Sequence, residues 1–127
     1  MTVIPPTVLK KLYVKGSLRS EDQGFAFDLK NLIAPATITE VSGLQLDGES
    51  LDGSLVAIVP PSGNPRPADR ISPSRPLEFP VGMVVTVHVA VEAKGLSPLG
   101  PRQHDIVLHV ELKEIGSLDI PISDIAH

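Results

Sequence analysis

His88 and His109 stand in two runs of alternating residues, and pairing those runs would set their side chains opposite one another. Directly opposed residues of an antiparallel pair have Cβ atoms about 4.5–5.5 Å apart, close enough for two imidazoles to share a metal. A stable site needs a further carboxylate or imidazole, which Glu111 or Glu92 would have to supply. Two half-exposed histidines on the polar face of a sheet, or at an interface, explain the pattern more economically, and no metal site is assigned. His104 beside Asp105 has the composition of a base with its orienting carboxylate. Neighbours in an extended chain, however, point to opposite sides. No serine stands in a Gly-x-Ser-x-Gly elbow, so nucleophilic catalysis has no support. Ser62-Gly63-Asn64-Pro65 lacks the Gly-Lys-Ser/Thr ending of a phosphate-binding loop. Asp28, Glu40, Asp47, Glu49 and Asp52 are scattered over turns and strand faces. No catalytic residue and no cofactor is therefore assigned to this chain.

The elements that must carry these side chains are strands. Met83, Val85, Val87, Val89 and Val91 alternate with more polar neighbours, as do Ile106, Leu108, Val110 and Leu112, and period two over that length means half-buried strand. Paired as a hairpin across the loop containing Gly95, Pro98, Gly100 and Pro101, the runs would set Val87 against Val110 and His88 against His109. A one-residue slip would turn every side chain over, so the alternation restricts the register. Upstream, Leu12, Val14 and Leu18 predict a first strand within Thr7–Leu18, followed by a polar turn and a second strand through Phe25, Phe27 and Leu29. Lys10, Lys11, Lys15 and Arg19 on that first strand read as edge-protecting charges, or as a modest basic strip around Tyr13. Ile38 to Leu46 is extended and ends at Asp47-Gly48, a strong turn dipeptide. Leu55 to Val59 reads as a short buried strand, and Leu118, Ile120 and Ile122 as a last strand that Pro121 makes an edge.

Residues 1–6 read as an extended arm, because Pro5 and Pro6 cannot donate to a ladder. Residues 60–76 hold prolines 60, 61, 65, 67, 73 and 76 with Arg66, Arg70 and Arg75, and no period survives there. Loops of that length are functional, packed on a partner or mobile, or simply lie solvated over their own sheet. Seven to nine turn-separated strands predict an all-β, two-sheet antiparallel sandwich occupying residues 1–127 as a single domain.

Composition narrows the function classes. An apolar share of 42% with 20% charged residues suits a folded core. The only aromatics are Tyr13, Phe25, Phe27 and Phe79, so no stacking platform for bases or sugars is visible. A net charge of −4 without a basic run makes nucleic acid an unexpected partner. The absence of cysteine removes disulfides and thiolate chemistry together. With neither a leader-like start nor 18 consecutive apolar residues, a cytoplasmic protein that does not enter membranes is expected.

Several short stretches resemble a known family. They are Gly16-Ser17-Leu18-Arg19, Gly24-Phe25-Ala26-Phe27-Asp28-Leu29-Lys30, Leu46-Asp47-Gly48-Glu49, Gly95-Leu96-Ser97-Pro98 and His104-Asp105-Ile106-Val107. Together they resemble the small (β) subunit of C-glycoside deglycosidases, with patterns of the kind Ser-Leu-x-Asn, Gly-Phe-x-Phe, Val-Asp-Gly and Gly-Leu-x-Pro-Gly-x-His. The chain departs from that pattern at Ser20, where the family has Asn, and by the inserted residues 99–103. It is also similar to small prokaryotic proteins often labelled hydroxymethylglutaryl-CoA reductase. This length leaves no room for two substrate sites, and there is no nucleotide-binding glycine fingerprint.

The first resemblance implies a β-sandwich that is not itself catalytic and packs on a larger barrel-shaped subunit. That subunit would hold a divalent metal and the proton-transfer residues that cleave a sugar-to-carbon bond after oxidation of the sugar, a lyase reaction. Carried over, Gly95, Leu96, Pro98, Arg102 and His104 would face the large subunit's active site. The alternative is a self-assembling scaffold in which exposed apolar residues such as Val84 and Val107 make homo-oligomer contacts. A third reading is a ligand-binding module using the 93–104 loop.

Overall fold

The structure is a computed structural model that describes residues 6–21, 24–91, 100 and 102–126. Glu92, Gly95, Leu96, Pro98 and residues 1–5 of the expected arm lie outside the described residues. The chain opens with a helical turn, α1 (Pro6–Leu9), which runs into a 3-10 turn at Lys10–Leu12. Among the described residues ten strands follow: β1 (Arg19–Glu21), β2 (Gly24–Lys30), β3 (Ala36–Leu46), β4 (Glu49–Asp52), β5 (Val56–Val59), β6 (Arg66–Pro67), β7 (Leu77–Phe79), β8 (Val84–Val89), β9 (Gln103–Leu112) and β10 (Gly116–Ile125). They form two antiparallel sheets, the first in the order β1-β2-β8-β5-β6 and the second β10-β9-β3-β4, with β7 also paired to β3. No helix among the described residues is long and apolar enough to cross a membrane.

Alternation decides which side chains meet between the sheets. Phe25, Phe27 and Leu29 of β2 and Val85, Val87 and Val89 of β8 point inward from the first sheet. Ile106, Leu108 and Val110 of β9, with Ile120 and Ile122 of β10, answer from the second. Each such side chain contributes about 1.5–3 kcal/mol on leaving water, which makes the two inner faces the main source of stability.

The expected hairpin between the two long runs does not form. β8 lies between β2 and β5 in the first sheet, whereas β9 lies between β3 and β10 in the second. Val87 and Val110 are both buried as expected, but they belong to opposing layers. Alternation specifies the inward face of a strand and leaves its lateral neighbour open. The connection through residues 90–102 is also long enough, at up to about 3.3 Å per residue, to cross the roughly 10 Å between packed sheets.

The predicted first strand is a helical turn instead. Leu9 and Leu12, three residues apart, bury on one side of it, and Pro6 is placed where a helix tolerates proline. Extended structure is reached only at Tyr13, which bridges to Leu29. The lysines at 10 and 11 therefore do not guard a strand edge. Residues 60–76 are more structured than their prolines suggest: β6 adds to β5, a 3-10 turn spans Ala68–Arg70, and Ala68 and Ile71 are buried. β10 is an edge strand, as Pro121 predicts.

Candidate functional site

His88 and His109 do not meet. His88 pairs laterally with Ala26 and Ala57 on the outer face of the first sheet, and its Nδ1 lies 2.9 Å from Glu21 Oε2. His109 is on the outer face of the second sheet, between Gly43 and Asp119, with Nδ1 2.7 Å from Asp119 Oδ1. The whole core separates the two rings, so they cannot share a cation. Among the described residues no group of three or more His, Cys, Asp or Glu side chains could hold a metal ion.

At one end of the second sheet, Asp47 organises a polar clasp. Asp47 (φ 50°) and Gly48 (φ 86°) form the turn joining β3 to β4, and two successive positive φ values are those of a type I′ hairpin turn. The Asp47 carboxylate accepts from the Asp105 backbone N–H (2.8 Å), lies 2.8 Å from His104 Nδ1 and 3.2 Å from Arg102 Nη2. The Asp47 backbone N–H donates in turn to the Asp105 carbonyl (2.7 Å). Burial works to push the Asp47 carboxyl up, but the Asp105 N–H, His104 and Arg102 outweigh it and hold it below the usual carboxylate range.

His104 is buried, at 2% exposure, and its Nε2 lies 2.9 Å from the Gly100 carbonyl. Both ring nitrogens are thus engaged inside the protein, and neither is available to a substrate proton. Asp105 faces away from the ring and accepts from Ser123 Oγ at 2.6 Å, so His104 and Asp105 are no dyad. Of the five residues expected to face a partner, Arg102 is exposed and His104 is turned inward to hold its own loop. Gly95, Leu96 and Pro98 lie outside the described residues.

The opposite end of the second sheet is apolar. A cleft of about 200 Å³ opens between the layers, lined by Leu29 and Val85 from one sheet and Leu108 and Val110 from the other, with Ile33 and Ile115 among its remaining walls. Leu32 (56% exposed), Ile33, Val81 and Val84 project into solvent on this end. The two loops that carry most of them are pinned by Asn31. Asn31 is buried; its Nδ2 donates to the Ala34 and Phe79 carbonyls (2.7 Å each) and its Oδ1 accepts from the Ile33 N–H (3.0 Å). Its backbone N–H donates to the Met83 carbonyl and its carbonyl accepts from the Gly82 N–H. The sequence signal was a lone amide between Leu29 and Leu32, which only the fold distinguishes from a solvated turn residue.

Two acidic features complete the polar surface. Glu40 and Glu111 are cross-strand partners on β3 and β9, and the Glu111 carboxylate, by hydrogen bonding and by its charge, pushes the Glu40 carboxyl up. Glu114 accepts from both the backbone N–H and the hydroxyl of Thr37 (2.9 Å each), which holds its carboxyl low.

Fold and site together define a two-sheet antiparallel sandwich with a polar clasp at one end and an open apolar cleft at the other. The chain belongs to the family described as hydroxymethylglutaryl-CoA reductase, N-terminal domain, matched over residues 8–127. No match to a curated protein is found.

Proposed function

We propose that this chain is a non-catalytic accessory subunit that docks on a larger enzyme by the end carrying Leu32, Ile33, Val81 and Val84. The observation behind this reading is that four exposed apolar side chains stand at the end where the apolar cleft opens, three of them on loops held in place by one buried asparagine and Val84 at the start of β8. A flexible loop would lose entropy on docking, whereas loops already pinned cost less to bind. The cleft has the size and lining to take an apolar anchor residue, the kind of contact that dominates interface energetics. His104, the best-placed base in the sequence, is committed internally, which also favours a supporting role.

The resemblance of Gly24-Phe25-Ala26-Phe27 and Gly95-Leu96-Ser97-Pro98 to the deglycosidase small subunit supplies the finer reading. The partner would be a metal-dependent barrel enzyme that cleaves a sugar-to-carbon bond in C-glycosides or similar sugar derivatives. The family description, an N-terminal domain, names a part of a larger protein, which also suits a supporting place.

Purification of the tagged full-length chain from its own cells tests this. The expected result is a fixed-ratio complex with a larger protein that, with a divalent metal, releases the aglycone from an oxidised C-glycoside. Ile33→Asp with Val81→Asp should abolish that complex while leaving the circular dichroism spectrum unchanged. Recovery of nothing but a symmetric multimer of this chain would reject the proposal in favour of self-assembly.

A further inference from the structure

We propose that Arg66, Arg70 and Arg75 form a binding site for a phosphate-bearing small molecule, on residues that line no part of the apolar cleft. The chain has only five arginines and a net charge of −4, yet three of the five fall within residues 66–75. They line one open depression of about 420 Å³, together with Pro67 and Pro76. That volume lies in the range of about 300–1,000 Å³ usual for small-molecule sites. Among the described residues, arginine ion pairs are made by Arg19 and Arg102, and none of the three guanidiniums here has a carboxylate within 4 Å. Three unneutralised cations around a concavity repel one another, and an anion seated among them removes that repulsion.

The frame beneath them is built rather than loose. Arg66 lies on β6, opposite Ile58 of β5. Arg70 ends the 3-10 turn, which the buried Ala68 and Ile71 anchor on either side. Arg75 closes a tight turn in which the Ser72 N–H donates to the Arg75 carbonyl (3.2 Å) and the Arg75 N–H to the Ser72 carbonyl (3.0 Å). Arg66 Nη2 donates to the Arg75 carbonyl at 2.9 Å and so ties the first arginine to the last. Pro67, Pro73 and Pro76 restrict this stretch before any ligand arrives.

Guanidinium presents a planar fork of donors that matches the oxygens of a phosphate bidentately, and a phosphomonoester carries about −1.5 to −2 charge at neutral pH. Three arginines lining one depression suit such a dianion better than a single carboxylate. The open rim leaves the remainder of the ligand in solvent.

Calorimetric titration of the full chain with inorganic pyrophosphate at fixed ionic strength, with acetate in parallel, tests the site. Saturable one-to-one pyrophosphate binding is expected, weakened about tenfold by Arg70→Gln or Arg75→Gln, whose side chains are exposed, and unchanged by Lys15→Gln. Amide resonances of residues 66–75 should shift on titration. Absence of saturable binding, equal affinity in the arginine variants, or acetate binding as tightly as pyrophosphate would each overturn the proposal.

Discussion

His104 Nδ1 lies 2.8 Å from Asp47 Oδ2, a contact between residues 57 positions apart that fastens the start of β9 to the turn at the end of β3. Because the Asp47 carboxyl is held below its ordinary value, the bonds it makes stabilise the fold above pH about 4, the unfolded-state range, and are lost as pH falls through the lower folded-state value. Asp47→Asn keeps a side chain that tolerates the left-handed backbone at φ 50° and removes the charge. We expect a loss of about 1–3 kcal/mol at pH 7 in urea denaturation, with the gap to wild type narrowing below pH about 4. A gap that stays constant with pH would show that the carboxylate charge contributes nothing.

Asn31→Ala should be among the most damaging single changes at the apolar end. It leaves the Phe79 and Ala34 carbonyls without the amide donor they share, at about 1–3 kcal/mol for a buried unsatisfied group. Amide hydrogen exchange should accelerate in residues 32–35 and 80–83 more than in β9. Uniform acceleration across both sheets would mean that Asn31 stabilises the fold globally and pins no local structure.

Gly24→Ala should prevent β2 from seating. A Cβ at Gly24 would stand 1.8 Å from the Val89 carbonyl oxygen and 2.9 Å from the Val91 nitrogen, both backbone atoms that cannot rotate aside. The expected destabilisation is about 3 kcal/mol or more, read from the thermal midpoint. Gly48→Ala, with open space around the new methyl, meets only the strain of its φ of 86°, and its smaller effect separates crowding from backbone preference.

Glu40→Gln should raise stability slightly at pH 7. The folded-state value of the Glu40 carboxyl is raised by Glu111, so the wild-type pair is most favourable below the ordinary glutamate range and loses stability as pH rises through the raised value. The variant should show a smaller fall in denaturation midpoint between pH 4 and pH 7. An identical fall in both proteins would place the repulsion elsewhere.

The inward faces were legible because Val87, Val89, Leu108 and Val110 alternate with polar residues, and burial follows that period. Which strands lie side by side was not, since β8 and β9 read alike and either could serve as the other's neighbour. The His88 and His109 pairing failed with that assumption. Asp47-Gly48 announced its turn, but its carboxylate's hold on His104 depends on a register between β3 and β9 that no local pattern encodes. The helical turn at Pro6–Leu12 was masked by apolar residues that fit either period, with Leu9 and Leu12 at helical spacing and Leu12 and Val14 at strand spacing. Arg66, Arg70 and Arg75 were visible only as charges in a proline-rich stretch. That they line one depression depends on the folding of residues 66–75, which no local pattern encodes.

The Tyr13 hydroxyl donates to Asp124 Oδ2 at 2.6 Å, the Gly16 N–H donates to the same oxygen at 2.8 Å, and the Leu18 N–H donates back to the tyrosine oxygen. Tyr13 and Asp124, 111 positions apart, are therefore neighbours in space. Trimming the last strand before Asp124 would unfasten the opening turn as well, so the first and last described segments share one fate on truncation.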